Sequence, residues 1–169
     1  MISRHFFSSE QLRIVNCARE RAARLVSDYY RVAPREWLRM PYEVRTLRSL
    51  SSSEITDGAL AQTVCYAFKR QAGAVVLKEG DLFRICLQDH SILRAARDLR
   101  LGLGPLLTYV LTHELVHVVR FGQRLQSVDL AQELRSKEER KVETTTRTIL
   151  ATTGDSEIDR VLVGADHGG

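Results

Sequence analysis

Residues 106–121 read LLTYVLTHELVHVVRF, and the rest of the chain is best interpreted outward from this segment. Its apolar residues fall on nearly every side of a helix, so we expect it to be buried except where polar side chains face a cleft. Pro105 suits the first helical position and Gly122 suits the position just past the end. The segment therefore predicts one buried helix.

In the middle of this helix His113, Glu114 and His117 form the pattern His-Glu-x-x-His. Residues four apart lie on one face of a helix, so both imidazoles can reach a single metal ion. Glu114 projects beside that ion, where its carboxylate can take a proton from a metal-bound water. Zinc suits this chemistry because it lowers the pKa of its bound water to about 7 and polarises a carbonyl oxygen. We therefore expect Zn²⁺ as the cofactor and Glu114 as the general base.

A third protein ligand is needed, because a catalytic zinc generally has three of them plus a water. The next predicted helix, residues 136–150, offers Glu138, Glu139 and Glu143, and the next histidine along the chain is His167. A glutamate is therefore favoured. Packing of the helix alone leaves the choice among these glutamates open, but the pair Glu139 and Glu143, four residues apart, can supply a ligand and a supporting carboxylate together.

The two helices resemble the gluzincin metallopeptidases, in which His-Glu-x-x-His on one helix is completed by a glutamate on the next. Glu139 follows His117 by 22 positions, close to the spacing in thermolysin-like enzymes, and Glu143 lies one turn further on. The resemblance covers residues 82–150, and small ImmA/IrrE-like and SprT-like peptidases share this layout. It implies a zincin-like fold, with Glu139 as the third zinc ligand and Glu143 orienting a histidine ligand.

Other residues are weaker candidates for the site, and an alternative exists for Glu139. Ser136 with Glu139 fits a capping box, in which Glu139 would only close the start of its helix. His90 can stabilise an oxyanion, although its position is also typical of a helix start. Cys86 can bind a metal as in deformylase-type sites, but the glycine-rich motifs of that family are missing. Three tyrosines can belong either to the site or to the core, namely Tyr42, Tyr66 and Tyr109.

The remaining segments predict an α+β fold that is mostly helical, with a small sheet or hairpin beside the motif helix. Ser8 and Gln11 form a capping box for a first helix that ends before Pro34. Residues 34–41 are expected to be irregular. The further segments that we expect to be helical are residues 42–50, residues 53–70 and, capped by Asp89, residues 91–100.

A hairpin is expected from two alternating segments, residues 74–78 and 82–88, which Glu79-Gly80-Asp81 would join. The second of these is the candidate for an edge strand beside the motif helix, where a substrate would bind in an extended conformation. Residues 1–150 are predicted to form a single zincin-like metallopeptidase domain. The Gly- and Asp-rich residues 151–169 are expected to form a mobile C-terminal tail.

The composition excludes several classes of protein. The formal net charge is +4, and the 25 basic residues are spread among 21 acidic ones. Nucleic-acid binders usually concentrate Lys and Arg in one stripe, and no such run is present. No window approaches the roughly 18 apolar residues of a membrane span. The cysteines are odd in number and lie among apolar neighbours, which favours buried, reduced thiols and a cytoplasmic location; they are Cys17, Cys65 and Cys86.

Together these features predict hydrolysis of a peptide bond in a peptide or protein substrate by a zinc-activated water. One alternative is a regulatory module that binds zinc without turnover, but a purely structural site has no use for Glu114. Another is a zinc hydrolase that acts on a small amide instead of a peptide. The shape of the cleft distinguishes the two enzymes, because an extended groove suits a peptide and a closed pocket suits a small molecule.

Overall fold

The computed structural model describes residues 4–72, 75–123 and 132–166, and within these ranges the side chains of residues 67–80 are not described. The helices are α1 (Ser9–Tyr30), α2 (Pro34–Trp37), α3 (Asp89–Asp98), α4 (Leu103–Gly122), α5 (Gln132–Ala151) and α6 (Ser156–Asp166). The strands are β1 (Tyr42–Arg45), β2 (Ala61–Ala72) and β3 (Val75–Leu87). The architecture is α+β and mostly helical, as the sequence predicts.

The sheet has the order β1-β3-β2, with β1 parallel and β2 antiparallel to the central strand β3. Side chains alternate between the two faces of a strand, and Phe83, Ile85 and Leu87 of β3 are all buried in the core. Thr63 of β2 and Val44 of β1 lie opposite Ile85, so they share this core-side face. The sheet thereby forms one wall of the core, and the helices form the other.

Helix α4 lies at the centre of the core and packs against α1, α3, α5, α6 and β2. Nearly all of its apolar side chains are buried, in agreement with the predicted buried helix. Gly122 is its last residue, and a Cβ atom there would lie 2.3 Å from the Met40 side chain. The glycine therefore ends the helix and also leaves room for Met40.

The first helix also agrees with the sequence. The Ser8 hydroxyl accepts a hydrogen bond from the Gln11 N–H, and the Gln11 side chain accepts one from the Ser8 N–H, which completes the predicted capping box. The helix ends with Arg31 in the left-handed conformation, at a φ of 54°. The segment after it is less irregular than expected, because Pro34–Trp37 forms a helical turn.

The prediction of helices over residues 42–50 and 53–70 is wrong. Residues 42–50 form β1 followed by a 3-10 turn, and residues 53–70 form a 3-10 turn, a connection and most of β2. The apolar spacing of Leu60, Val64 and Phe68 suggested a helix, but pairing with β3 favours a period of two. In β2, Ala61 and Thr63 point to the core side, and Gln62 and Val64 to the other side.

The hairpin exists but has a different turn. Glu79, Gly80 and Asp81 lie inside β3, paired with Lys69, Phe68 and Ala67 of β2. The connection between the two strands therefore falls at residues 73–74, outside the described residues. The strand predicted over residues 82–88 corresponds to the end of β3, which stops at Leu87 and lies between β1 and β2, so its prediction as an edge strand is wrong.

The later helices begin earlier than predicted. Helix α3 starts at Asp89, whose buried carboxylate accepts hydrogen bonds from the N–H groups of Phe7 and Leu47 and does not cap the helix. Helix α5 includes Ser136, whose hydroxyl donates to the Gln132 carbonyl. Ser136 therefore does not begin α5, and the capping explanation of Glu139 is wrong.

The predicted mobile tail is also wrong for most of its length. Ser156–Asp166 forms α6, in which Ile158 and Val161 are buried against the rest of the core. The four-residue spacing of Ile158 and Leu162 and the acidic residues of the first turn are compatible with a short amphipathic helix.

Two other expectations concern membranes and cysteines. Over the described ranges, no helix has the length and apolar content to cross a membrane. All three cysteines are free. Cys86 is buried, but Cys65 is half-buried and Cys17 is exposed on α1, contrary to the expectation of three buried thiols. Burial raises the pKa of the Cys86 thiol to about 12.

Candidate metal centre

One stripe of α4 faces a cleft. Most of the side chains in the middle of this helix are buried, whereas Tyr109, His113 and His117, four residues apart, are partly exposed along one line. The rings of the two histidines are 5.1 Å apart, and the Phe121 ring stacks on that of His117 at 5.9 Å. The local helix geometry therefore presents two imidazoles to the same space.

Glu139 of α5 lies across the cleft from both histidines. Its Oε1 atom is 2.7 Å from His113 Nε2, and its Oε2 atom is 3.2 Å from His117 Nε2. One nitrogen or oxygen from each of the three residues lies within 4.8 Å of the others. The structure thus brings together the three side chains that the sequence nominated as metal ligands.

Glu114 points into the same cleft from the buried side of α4. The residue is 6% exposed, and its Oε2 atom accepts a 2.7 Å hydrogen bond from the Thr63 hydroxyl of β2. Glu114 is also among the residues that line the cleft. Glu114 is therefore fixed beside the histidine–glutamate cluster, as a proton acceptor in that position needs to be.

Glu143 supports the cluster from the next turn of α5. Its Oε2 atom accepts a 2.9 Å hydrogen bond from the Tyr109 hydroxyl and lies 3.3 Å from His113 Nδ1. Its Oε1 atom accepts a 2.7 Å hydrogen bond from Arg147 Nε. Glu143 is placed behind His113, on the side away from Glu139, where a carboxylate can orient the ring.

Glu138 lies on a different face of α5 and does not reach the cluster. It is 7% exposed, and its Oε1 atom accepts a hydrogen bond from Arg120 Nε. The buried side of α5 also carries Val142 and Thr146, at the spacing of this glutamate. Glu138 is therefore a buried partner of Arg120, and the row of Glu139 and Glu143 is the one that faces the histidines.

The charges of the cluster compensate one another. Burial by itself lowers the pKa of His113, but the hydrogen bond with Glu139 and the nearby carboxylates of Glu143 and Glu114 outweigh it and raise that pKa to about 10. Hydrogen bonds from His113 and His117 hold the pKa of Glu139 well below its usual range, and that of Glu143 is lowered mainly by His113. Burial and the neighbouring Glu143 raise the pKa of the Tyr109 hydroxyl.

The cleft has a volume of about 450 Å³ and is open on one side. Its floor is α4, one wall is α5 at Glu139, and the opposite wall is the start of β2 with the residues just before it, from Ala59 to Thr63. Because β2 is at the edge of the described sheet, it takes the place beside the motif helix that the sequence assigned to residues 82–88.

The backbone at this edge can be assigned from the pairing. The Gln88 N–H donates to the Leu60 carbonyl, so Leu60 and Gln88 are a hydrogen-bonded pair. In an antiparallel pair such residues alternate with residues whose backbone groups point outward. The N–H and C=O groups of Ala61, Thr63 and Cys65 therefore face the free edge of β2.

The weaker candidates lie elsewhere. His90 is buried, with Nε2 2.7 Å from Asp57 Oδ1, and it does not line the cleft. Cys86 points to the face of β3 away from the core, opposite Gln62 and Arg45. Of the tyrosines, Tyr42 contacts Trp37, Tyr66 donates to Glu54, and only Tyr109 reaches the cluster. His167 lies outside the described residues.

Sequence reasoning missed Thr63 and Arg147. The sequence predicts a helix over residues 53–70, so it does not indicate that Thr63 lies near Glu114. Arg147 follows Glu139 and Glu143 at the same four-residue spacing, and this row on α5 was a signal that could have identified it.

The donor set fits zinc. Two imidazoles and one carboxylate are a known set of protein ligands for catalytic zinc, and His and carboxylate ligands bind at about 2.0–2.2 Å. Ligand atoms on a tetrahedral ion are then about 3.3–3.5 Å apart. Both contacts of Glu139 are shorter than this, at 2.7 Å to His113 and 3.2 Å to His117, so binding of the ion requires the Glu139 side chain to move outward. The side chain of Glu139 is 57% exposed and has room to adjust.

Comparisons with known proteins provided no relative. No protein-family model, no curated protein and no solved structure matches the chain. The site is therefore interpreted from its own geometry and chemistry.

Proposed function

We propose that this protein is a zinc-dependent metallopeptidase of the gluzincin type, with a zincin-like arrangement of α4, α5 and the sheet. In this proposal His113, His117 and Glu139 hold the metal, and Glu114 is the general base. The observation that carries the proposal is the convergence of two imidazoles and a carboxylate from two helices, beside a second carboxylate fixed in the same cleft.

Each part of the chemistry has a residue to perform it. Zinc, when bound, supplies a Lewis acid that acidifies water and polarises a carbonyl group. The Glu114 carboxylate is anchored through Oε2 by Thr63, and its role is to take a proton from water and later return it to the leaving amine. Glu143 keeps the His113 ring in orientation from behind.

The open cleft favours a peptide substrate over a small amide. The free edge of β2 offers the backbone groups of Ala61 and Thr63 beside the histidines, and an extended peptide can add there as a further strand. The wall of the cleft also contains apolar side chains, among them Leu60, Val110 and Phe121, which can contact a substrate side chain. The substrate is therefore proposed to be an extended segment of a peptide or protein.

The chemistry of the cysteines supports a cellular location. The three thiols are free in the structure, which fits a reducing compartment. We propose the cytoplasm as the location of the enzyme.

The experiment that tests this function separates metal binding from hydrolysis. Purified protein reconstituted with zinc should contain one zinc per chain by elemental analysis and should cleave components of a mixed peptide library. Glu114→Gln keeps the shape of the side chain but removes the base, so it should retain zinc while hydrolysis falls by about 10²–10⁴-fold. Glu20→Gln, an exposed position on α1, is the matched control and should keep full activity.

Two outcomes would contradict the proposal. Absence of zinc after reconstitution would remove the metal site. Zinc binding with no cleavage of any peptide by the wild-type protein would favour the regulatory module, in which the metal is bound without turnover.

A further inference from the structure

A continuous polar chain leads from the back of His113 to the C-terminal helix. His113 Nδ1 is buried and has no hydrogen-bond partner with good geometry among the described residues, but Glu143 Oε2 lies 3.3 Å from it. The other oxygen of Glu143 accepts from Arg147 Nε at 2.7 Å. The orientation of the Glu143 carboxylate is therefore determined on one side by Tyr109 and on the other by Arg147.

Arg147 uses its remaining two nitrogens on α6. Nη1 donates to the Leu162 carbonyl at 3.1 Å, and Nη2 lies 2.9 Å from Asp166 Oδ1. Both contacts are near the carboxyl end of α6, where the helix dipole favours a cation. The planar guanidinium thus spans two helices with three separate contacts, which the single nitrogen of a lysine cannot do.

Helix α6 is a firm support for this contact. Ile158 and Val161 are 0% and 1% exposed, so apolar burial holds the helix independently of Arg147. The Arg147 side chain is 29% exposed and is therefore partly shielded from water. An arginine anchored on a docked helix keeps fewer alternative rotamers than one on a free surface, and the carboxylate that it binds is restricted in the same way.

His117 has no such support. Its Nδ1 is also buried, and the described residues provide no hydrogen-bond partner for it. Glu143 and Arg147 therefore act on one of the two histidines, and a change at Arg147 should alter the site through His113.

We propose that Arg147 and the C-terminal helix α6 position the metal site, by fixing the Glu143 carboxylate that orients His113. This inference rests on the proposed function, because it assumes that His113 is a metal ligand. Arg147 is a positioning residue in this scheme and does not touch the metal or the substrate. Helix α6, expected from the sequence to be a mobile tail, becomes part of the support of the site.

The test measures metal binding directly. Zinc affinity is determined by competition with a chromophoric chelator, and the visible spectrum of the cobalt-substituted protein reports the geometry of the ligands. Arg147→Met should lower zinc affinity up to about 10-fold, less than the loss of Glu143 itself, which supports the ligand directly, and should shift the cobalt bands. Arg147→Lys should restore part of the affinity, because a lysine can reach Glu143 or α6 but not both.

The chain offers a matched control in Arg21. Its Nη2 lies 2.9 Å from Asp155 Oδ2 just before α6, with an exposure of 34% that is close to that of Arg147. Arg21→Met therefore removes an ion pair near the start of α6 without touching Glu143. Its zinc affinity and cobalt spectrum should equal those of the wild type.

The outcomes distinguish this inference from the proposed function. If wild-type protein binds no zinc, both fall. If it binds zinc and Arg147→Met has the wild-type affinity and cobalt spectrum, the positioning role is wrong and the proposed function stands. If Arg147→Met does not fold, Asp166→Asn removes one of the contacts with α6 and should lower zinc affinity by a few-fold; an unchanged affinity in that variant would also overturn the inference.

Discussion

Thr63 and Glu114 are 51 residues apart in the chain, yet the Thr63 hydroxyl donates a 2.7 Å hydrogen bond to the Glu114 carboxylate. The contact joins the edge strand β2 to the central helix α4. The backbone of Thr63 faces the free edge of β2 at the same time, so one residue connects the proposed substrate-binding edge to the proposed general base.

The first prediction concerns this hydrogen bond. Thr63→Val replaces the hydroxyl with a methyl group of similar shape, so the protein should fold and bind zinc, while Glu114 loses its anchor. We expect kcat for peptide cleavage to fall about 10-fold, less than the loss from removing the base itself. Thr63→Ser retains the hydroxyl and should recover most of the activity. Equal kcat in the Val and wild-type proteins would show that the bond does not contribute to catalysis.

The second prediction separates the roles of three glutamates on α5. Glu139→Ala should remove most of the zinc affinity, and Glu143→Ala should lower it about 10- to 100-fold. Glu138→Gln should bind zinc normally but lose about 1–3 kcal/mol of stability, because it weakens the contact with Arg120. Isothermal titration calorimetry with zinc measures the affinity, and urea denaturation measures the stability. If only the Glu138 variant lost zinc, the third ligand would be Glu138 and the assignment of Glu139 would be wrong.

The third prediction tests the free edge of β2. Ala61→Pro removes an N–H that faces outward, so the sheet should survive while binding of an extended peptide to the inactive Glu114→Gln protein weakens. Val64 is opposite Arg84 and its N–H faces β3, so Val64→Pro should destabilise the fold. Thermal melts and fluorescence anisotropy with a labelled peptide measure both effects. If the two proline variants melted alike, the assignment of outward-facing groups would be wrong.

The fourth prediction concerns pH and a carboxylate far from the cleft. Glu54 is 2% exposed, and hydrogen bonds from Tyr66, Ser51 and Arg84 lower its pKa from 4.5 to about 2. A carboxyl whose pKa is lower in the folded state stabilises the fold above its unfolded pKa, and this contribution disappears as the pH falls through the folded value. The Glu54 contribution should therefore be complete above about pH 4.5 and lost by about pH 2.

Urea denaturation of metal-free protein at a series of pH values measures this effect. Glu54→Gln should be less stable than wild type by about 1–3 kcal/mol at pH 7, and the difference should shrink between pH 4.5 and pH 2. Glu20→Gln is the exposed control and should follow the wild-type curve. A difference for Glu54→Gln that stays constant across this range would mean that the carboxylate is not stabilised by its partners.

The parts of the site that could be predicted from the sequence are those that depend on local geometry. His113 and His117 lie on one face of α4, and Glu139 and Glu143 lie on one face of α5. Both pairings follow from the period of 3.6 residues, which is a property of the helical backbone. The same holds for the burial of α4, which follows from its apolar composition. The sequence therefore nominated the histidine pair, the base and a short row of acidic residues.

Contacts between distant segments could not be predicted in the same way. Residues 61–72 have spacing compatible with both a helix and a strand, and only pairing with β3 selects the strand. The direction in which α5 faces follows from packing on α4, because a rotation by one residue, about 100°, would exchange Glu138 for Glu139. Burial of Val142 and the contact between Glu138 and Arg120 select the orientation that turns Glu139 toward the histidines, and these interactions exist only once the helices are packed.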